Sequence, residues 1–181
     1  MKKRIIWEIG IGAVLILAAL FFVSQEKARQ PKIVLRTLAI YSNPDFKISL
    51  AYPSTWQIDP ARGAFRGTPL SFKGDDGFFG IDAVGVVGDL NIDGAAKSLT
   101  QEIKKPYGSA PKISSTTIAG ADARFILPSP DQPKEENGVV AMVVQYPRPV
   151  EIGKYAYLYF MLYGDKLHLR EIANALKFVG L

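Results

Sequence analysis

The segment Phe46–Trp56, FKISLAYPSTW, leaves this chain few ways to fold. Phe46, Ile48, Leu50 and Tyr52 alternate with Lys47, Ser49 and Ala51. That period of two marks a half-buried strand. Pro53 has no N–H to donate, so the ladder ends there. Trp56 follows a short turn and is large enough to close the edge of a core. A strand with one apolar face needs neighbours and a covering layer, so the rest of the chain should supply more sheet and elements to cover it.

The downstream sequence reads that way. Leu38–Tyr41 forms a first short strand, and the turn residues Ser42–Asp45 lead into Phe46. The stretch Asp59–Pro69 is an open loop with two glycines and two prolines. Leu70–Lys73 and Phe78–Val87 flank Gly74-Asp75-Asp76-Gly77, whose Asp-Gly step suits a tight hairpin. Asp89–Lys105 is predicted to be a helix with its lead-in, capped by Asp93, with Ala95, Leu99 and Ile103 on one side and Pro106 as its stop. Strands follow at Lys112–Ile118 and Asp122–Leu127. A polar, three-proline loop over Pro128–Gly138 separates them from a buried strand, Val139–Tyr146. Tyr155–Tyr163 is the last strand, with Tyr155, Tyr157, Tyr159, Met161 and Tyr163 on one face. Leu169, Ile172, Ala173 and Leu176 make the stripe of a closing helix.

Before all this lies a different kind of segment. Met1–Arg4 is a basic cluster, and Ile5–Val23 is apolar except for Glu8. A transmembrane helix takes about 20 residues, and Ile5–Val23 meets that length if Glu8 snorkels to the headgroups. A cleaved signal peptide is the alternative, but Phe22 stands where a small residue is wanted. The basic cluster places the N-terminus in the cytoplasm and the domain outside it. The expected organisation is therefore an anchor and spacer over 1–32 and a globular domain over 33–181.

The formal charge of +5 points towards nucleic acid only until it is located. Residues 1–32 hold six Lys/Arg and two acids; the remainder holds 16 and 15. The basicity thus belongs to the segment flanking the membrane, and the folded part lacks a basic stripe, which argues against nucleic acid. Cysteine is absent, excluding disulfides, thiolate metal sites and cysteine nucleophiles.

Few residues suggest chemistry. Asp89, Asn91 and Asp93 fit the first half of a calcium loop, D-x-N-x-D-G, but its twelfth position is Thr100 in place of glutamate. A helix cap explains the same residues. Asp75 and Asp76 suit a hairpin turn better than a cation. His168 follows Asp165 by three residues, yet no G-x-S-x-G elbow supplies a nucleophile, so a hydrolase is disfavoured. The tyrosines Tyr155, Tyr157 and Tyr159 form a candidate partner platform, unless a helix packs over them. Phe65 and Arg66 in the open loop are a second candidate surface.

Tyr41–Phe46 followed by Tyr52-Pro53-Ser54-Thr55-Trp56 resembles the opening signature of PsbP-like domains, and Leu169–Val179 resembles their closing helix. The resemblance spans residues 41–181. It implies an α+β fold, a central antiparallel sheet sandwiched between helices, as in a small Ran-binding import factor; here one N-terminal transmembrane helix would precede it. It also implies a binding, non-enzymatic character. The family includes extrinsic subunits of photosystem II, whose partner surfaces this motif does not contain. Metal-binding histidines found in some members have no counterpart, since His168 is the sole histidine. The expected function is a membrane-tethered, extracytoplasmic scaffold domain with a protein partner and no cofactor. The alternative is an accessory domain sensing a small ligand or calcium.

Overall fold

The computed structural model describes residues 37–86 and 91–181. In chain order it contains β1 (Leu38–Asn43), β2 (Ile48–Pro53), β3 (Gln57–Ile58), β4 (Ala64–Phe65), β5 (Thr68–Pro69), β6 (Ser71–Lys73) and β7 (Phe78–Val86). Then come α1 (Ile92–Thr100), β8 (Lys112–Ile118), β9 (Ala121–Leu127), β10 (Val139–Ile152), β11 (Tyr155–Asp165), α2 (Leu169–Asn174) and β12 (Lys177–Phe178). A seven-stranded antiparallel sheet runs β3-β6-β7-β11-β10-β9-β8, beside a three-stranded sheet, β1-β2-β12, and the small hairpin β4-β5.

The centre of the large sheet is the β10–β11 hairpin. Val140, Met142 and Val144 face one apolar cluster, and Val139, Ala141 and Val143 face the other. Burial on both faces is why β10 reads as an unbroken apolar run. The first cluster lies between the two sheets. Ile48 and Leu50 of β2 and Leu169, Ile172 and Ala173 of α2 meet Phe79, Ile81, Phe160 and Leu162 of the large sheet there. The second lies under α1, where Ile92, Ala95 and Ala96 cover Ile126, Val143 and Tyr159.

This corrects the expected α+β architecture. The large sheet is not sandwiched between helices. One face is covered by a second antiparallel sheet with one six-residue helix, the other by a single nine-residue helix, so the described residues are mostly antiparallel strand. The closing helix stops at Asn174 because the segment beyond it is captured by an open strand edge. Lys177 and Phe178 pair with Ser49 and Ile48 of β2, and Val179 N–H donates to the Lys47 carbonyl (2.9 Å). The first helix ends at Thr100, well short of Lys105. Ile103, expected on its apolar side, is 99% exposed, because the sheet beneath offers cover only as far as Leu99. Its cap also lies two residues earlier than expected: Asn91, not Asp93, accepts from the Gly94 N–H. The expected transmembrane helix over 5–23 lies outside the described residues, and among these no helix is long and apolar enough to cross a membrane.

The alternation in Phe46–Trp56 does mark a buried strand face, but β2 belongs to the smaller sheet. The turn before it is built around Asn43. The Asn43 Oδ1 accepts from the N–H groups of Asp45 and Phe46, both at 3.1 Å, and its amide donates to Tyr41 Oη at 2.8 Å. An asparagine that supplies both acceptor and donor lets this buried turn satisfy its own backbone.

Candidate functional site

Two places bring polar or aromatic side chains from distant parts of the chain together. The first lies beneath Trp56. The hairpin turn before β7 closes through Gly74 N–H donating to the Gly77 carbonyl (2.8 Å), and this sets Asp76 against the indole. Trp56 Nε1–H donates to Asp76 Oδ1 at 2.7 Å. The ring of His168 meets the indole edge-on, with centroids 5.1 Å apart. His168 Nδ1 lies 2.8 Å from Asp165 Oδ1, and Nε2 lies 3.7 Å from Asp76 Oδ2. The second oxygen of Asp165 accepts from the Phe78 N–H at 3.1 Å. Packing is close enough that a Cβ on Gly77 would fall 2.3 Å from Asp165 Oδ2 and 2.7 Å from His168 Nδ1. The outer side of the turn, with Asp75, Asp76, Asp59 and Lys73, borders an open hollow of about 660 Å³.

The histidine side chain is only 6% exposed and sits between two carboxylates. It orients a joint between the β6–β7 turn, the end of β11 and the start of α2. An imidazole so enclosed does not present a nitrogen to a substrate.

The second place is the end of the sheet where β10 turns into β11. Pairing slips there: Gln145 faces Tyr159, whereas Val150 faces Tyr157. The four residues Tyr146 to Pro149 stand against Leu158 alone, and form a bulge that admits two prolines into the strand. Above the bulge Tyr159 is buried under α1 with Met161 and Tyr163. Below it Tyr157 packs on the opposite cluster, together with Phe65 of β4. The tyrosine row is therefore divided between two faces. Tyr155 is 48% exposed, meets Tyr157 edge-on at 6.4 Å, and carries Lys154 Nζ over its ring at 5.0 Å. The β4–β5 hairpin reaches the same end: the Phe65 ring lies 3.7 Å from where a Cβ on Gly153 would stand. Arg66 sits over Phe65 (5.6 Å) and bridges to Asp45 (3.4 Å). A hollow of about 480 Å³ beside it is lined by Lys47, Arg66, Arg148 and Glu151, among others.

So the structure places Phe65, with Arg66 over it, at the sheet end that carries Tyr155 and Tyr157, and puts Tyr159 in the other cluster. Of the residues matching a calcium loop, Asp89 lies outside the described residues. The Asn91 side chain is engaged in its cap, and Asp93 pairs with Arg124 (Nε to Oδ1, 2.5 Å). The Arg124 hydrogen bond holds the Asp93 carboxyl below the usual carboxylate range. The Trp56–Asp76–His168–Asp165 joint escaped sequence reasoning apart from the Asp165–His168 spacing.

No family model matches the chain, and no curated protein matches it. Among solved structures, the chain is similar to the solution structure of cyanobacterial PsbP (CyanoP) from Synechocystis sp. PCC 6803, at 11% identity over 82% of this chain and 96% of that one, with a TM-score of 0.45. This is the kind of domain that the Tyr41–Trp56 segment resembles.

Proposed function

We propose that this chain is a non-catalytic binding domain whose partner is a protein, and that the partner docks at the β10–β11 end. The observation supporting this is that the Arg66–Phe65 pair, whose ring lies against Gly153, stands at the same end of the sheet as the Lys154–Tyr155 pair, residues far apart in sequence. Half-exposed aromatic rings with cationic groups over their faces are the side chains that dominate protein interfaces, because they bury much area at little entropic cost. The enclosed His168 supports a non-catalytic reading. Its two nitrogens face Asp165 and Asp76, and Trp56 stands against its ring.

The location outside the cytoplasm, and tethering through residues 1–32, rest on the order of the basic cluster and the apolar run in the sequence. Protease accessibility of the domain in intact and opened cells tests that part separately.

For binding, the full chain is isolated in mild detergent with its bound proteins, beside a Tyr155→Ala/Arg66→Glu double variant. Both positions are exposed, so the fold should persist. A protein held by the parent and lost at least about tenfold by the variant supports the reading, since interface anchors typically contribute more than about 1.4 kcal/mol. Equal retention by both moves the surface elsewhere. A parent that holds no protein sinks the binding reading itself.

A further inference from the structure

We propose that the outer face of the small sheet, at Leu38 and Ile40, lies on the headgroup layer of an anionic lipid bilayer. This contact rests on the membrane tethering proposed above and adds to it a second one, made by the folded domain itself.

Residues opposite each other on paired strands share a face. Register therefore arranges the outer face of the small sheet in rows. Leu38 stands beside Pro53, Ile40 beside Ala51, and Ser42 beside Ser49, with Lys177 beyond it. The other face, with Tyr41, Ile48 and Leu50, is turned into the core. The outer face is thus apolar at the end where the chain enters β1, and polar with a lysine at the other end. Leu38 is 50% exposed and Ile40 71%. A lone exposed leucine is ordinary. Two large apolar side chains on one face of an edge strand are a liability unless something covers them.

The charge of the adjoining sequence selects the cover. Between Glu26 and Asp45 the chain has Lys27, Arg29, Lys32 and Arg36 and no carboxylate. A second copy docked on the same face would bring cations against cations. An anionic lipid surface complements them. The succession Lys32, Ile33–Leu35, Arg36, Leu38, Ile40 mixes basic and aliphatic residues. Such a mixture suits a lipid interface, where aliphatic groups dip beneath the headgroups and Lys and Arg reach the phosphates. Reach is no obstacle. Leu38 comes fifteen residues after Val23, where the apolar run ends, and a stretch of that length spans at most about 50 Å. Depth follows from the backbone. Among the described residues β1 is the outermost strand of its sheet. One edge of it therefore needs water, which the headgroup layer supplies and the hydrocarbon does not. The contact is shallow: the side chains of Leu38 and Ile40 enter, and the strand stays at the surface.

The chain has no cysteine, so a single introduced one takes a polarity-sensitive dye. Ser42→Cys reports from the outer face with Leu38 and Ile40 intact. Thr117→Cys is the reference, exposed on β8 and on the same side of the large sheet as Ile113, which packs in the cluster under α1. Each labelled full chain is placed in phosphatidylcholine vesicles holding about a quarter phosphatidylglycerol, with a lipid that carries a quencher just below the headgroup. The Ser42 dye should shift to the blue and be quenched at least about twofold more than the Thr117 dye. Leu38→Ser/Ile40→Ser, both exposed positions, should abolish that difference. Lys32→Glu/Arg36→Glu should reduce it. Equal quenching of the two dyes overturns the proposal. A Ser42 signal that survives Leu38→Ser/Ile40→Ser overturns it as well, and one that grows only with the ratio of protein to lipid assigns the face to a second copy and overturns it too. If Leu38→Ser/Ile40→Ser fails to fold, the charge-reversed pair, which precedes β1, decides: an unchanged difference overturns the contact and a reduced one upholds it. Flotation of the vesicles separates the two readings. A chain that floats with them but shows equal dyes loses this contact alone, whereas a chain that does not float loses the tethering and this contact together.

Discussion

The buried hydroxyl of Tyr146 donates to the carbonyl of Phe46 at 3.0 Å, joining the bulge of the large sheet to the turn that opens the small one. These residues are a hundred positions apart, and both are buried. The ring of Tyr146 packs on Phe160 (4.9 Å) and Phe178 (6.1 Å), so one side chain touches both sheets. Tyr146→Phe keeps that packing and strands the Phe46 carbonyl. It should cost about 1–3 kcal/mol, the penalty of leaving a buried acceptor unmade. Urea unfolding should show a lower midpoint at unchanged slope.

Trp56 is 3% exposed and is held by the Asp76 hydrogen bond and by Phe79, 6.3 Å away. Trp56→Ala removes the ring from a closed core edge and should cost about 3–5 kcal/mol. A cost near zero in chemical unfolding would undo the account of Phe46–Trp56 as a core-forming segment.

Gly77→Ala tests the tightness of the joint beneath Trp56. The new methyl would meet Asp165 Oδ2, His168 Nδ1 and the indole at 2.3–2.8 Å. Overpacking of that kind costs about 1–3 kcal/mol. Near-ultraviolet circular dichroism should report the displaced indole, and thermal melting the loss.

Alkali should loosen the domain through Tyr41. Burial pushes its hydroxyl up to about 12, against a weaker opposing effect of the Asn43 hydrogen bond. In the unfolded chain a tyrosine ionises near pH 10. Between about pH 10 and 12 the hydroxyl stays neutral in the fold and ionises on unfolding, so stability is full below that window and falls as pH rises through it. Burial pushes Tyr146 in the same direction. The part of the tyrosinate absorbance that comes from the buried rings should therefore rise late and together with unfolding, and Tyr41→Phe should remove part of that dependence.

Ile103→Ser should change stability by no more than about 0.5 kcal/mol, because the side chain is 99% exposed. A helix continued to Lys105 would have made it a core residue with a cost several times larger. The comparison of melting curves therefore checks the short α1 directly.

The elements that could be read from the sequence were those whose signal is local. The Gly74–Gly77 turn, the polar loop before β10 and the apolar run of β10 each follow from residues side by side. What could not be read depends on which strand edge is left open. Lys177 and Phe178 have no pattern of their own; they become a strand because β2 has an unpaired edge at Ile48 and Ser49. Alternation in β2 is the same whichever sheet it joins, so its place in a separate small sheet was invisible. The tyrosine row read as one face because nothing in Tyr155–Tyr163 reveals a bulge in the partner strand. For the candidate surface, Phe65 and Tyr155 were each visible as aromatic residues, but their place at one end of the sheet depends on topology. The Asp165–His168 spacing was visible; Asp76 and Trp56 came to it only through the fold.

The pairing of β2 with both β1 and β12 sets two very different folding times. Ile48 meets Asn43 across a four-residue turn, but meets Phe178 only after nearly the whole domain has been threaded between them. Hairpins of the first kind form in about 1–10 μs, whereas pairings that close long loops come late. Until β12 arrives, Ile48 and Leu50 lie on a hairpin with one bare edge, open to any other strand that finds it. The order of closure, rather than the final contacts, thus decides when this chain is most prone to mispair.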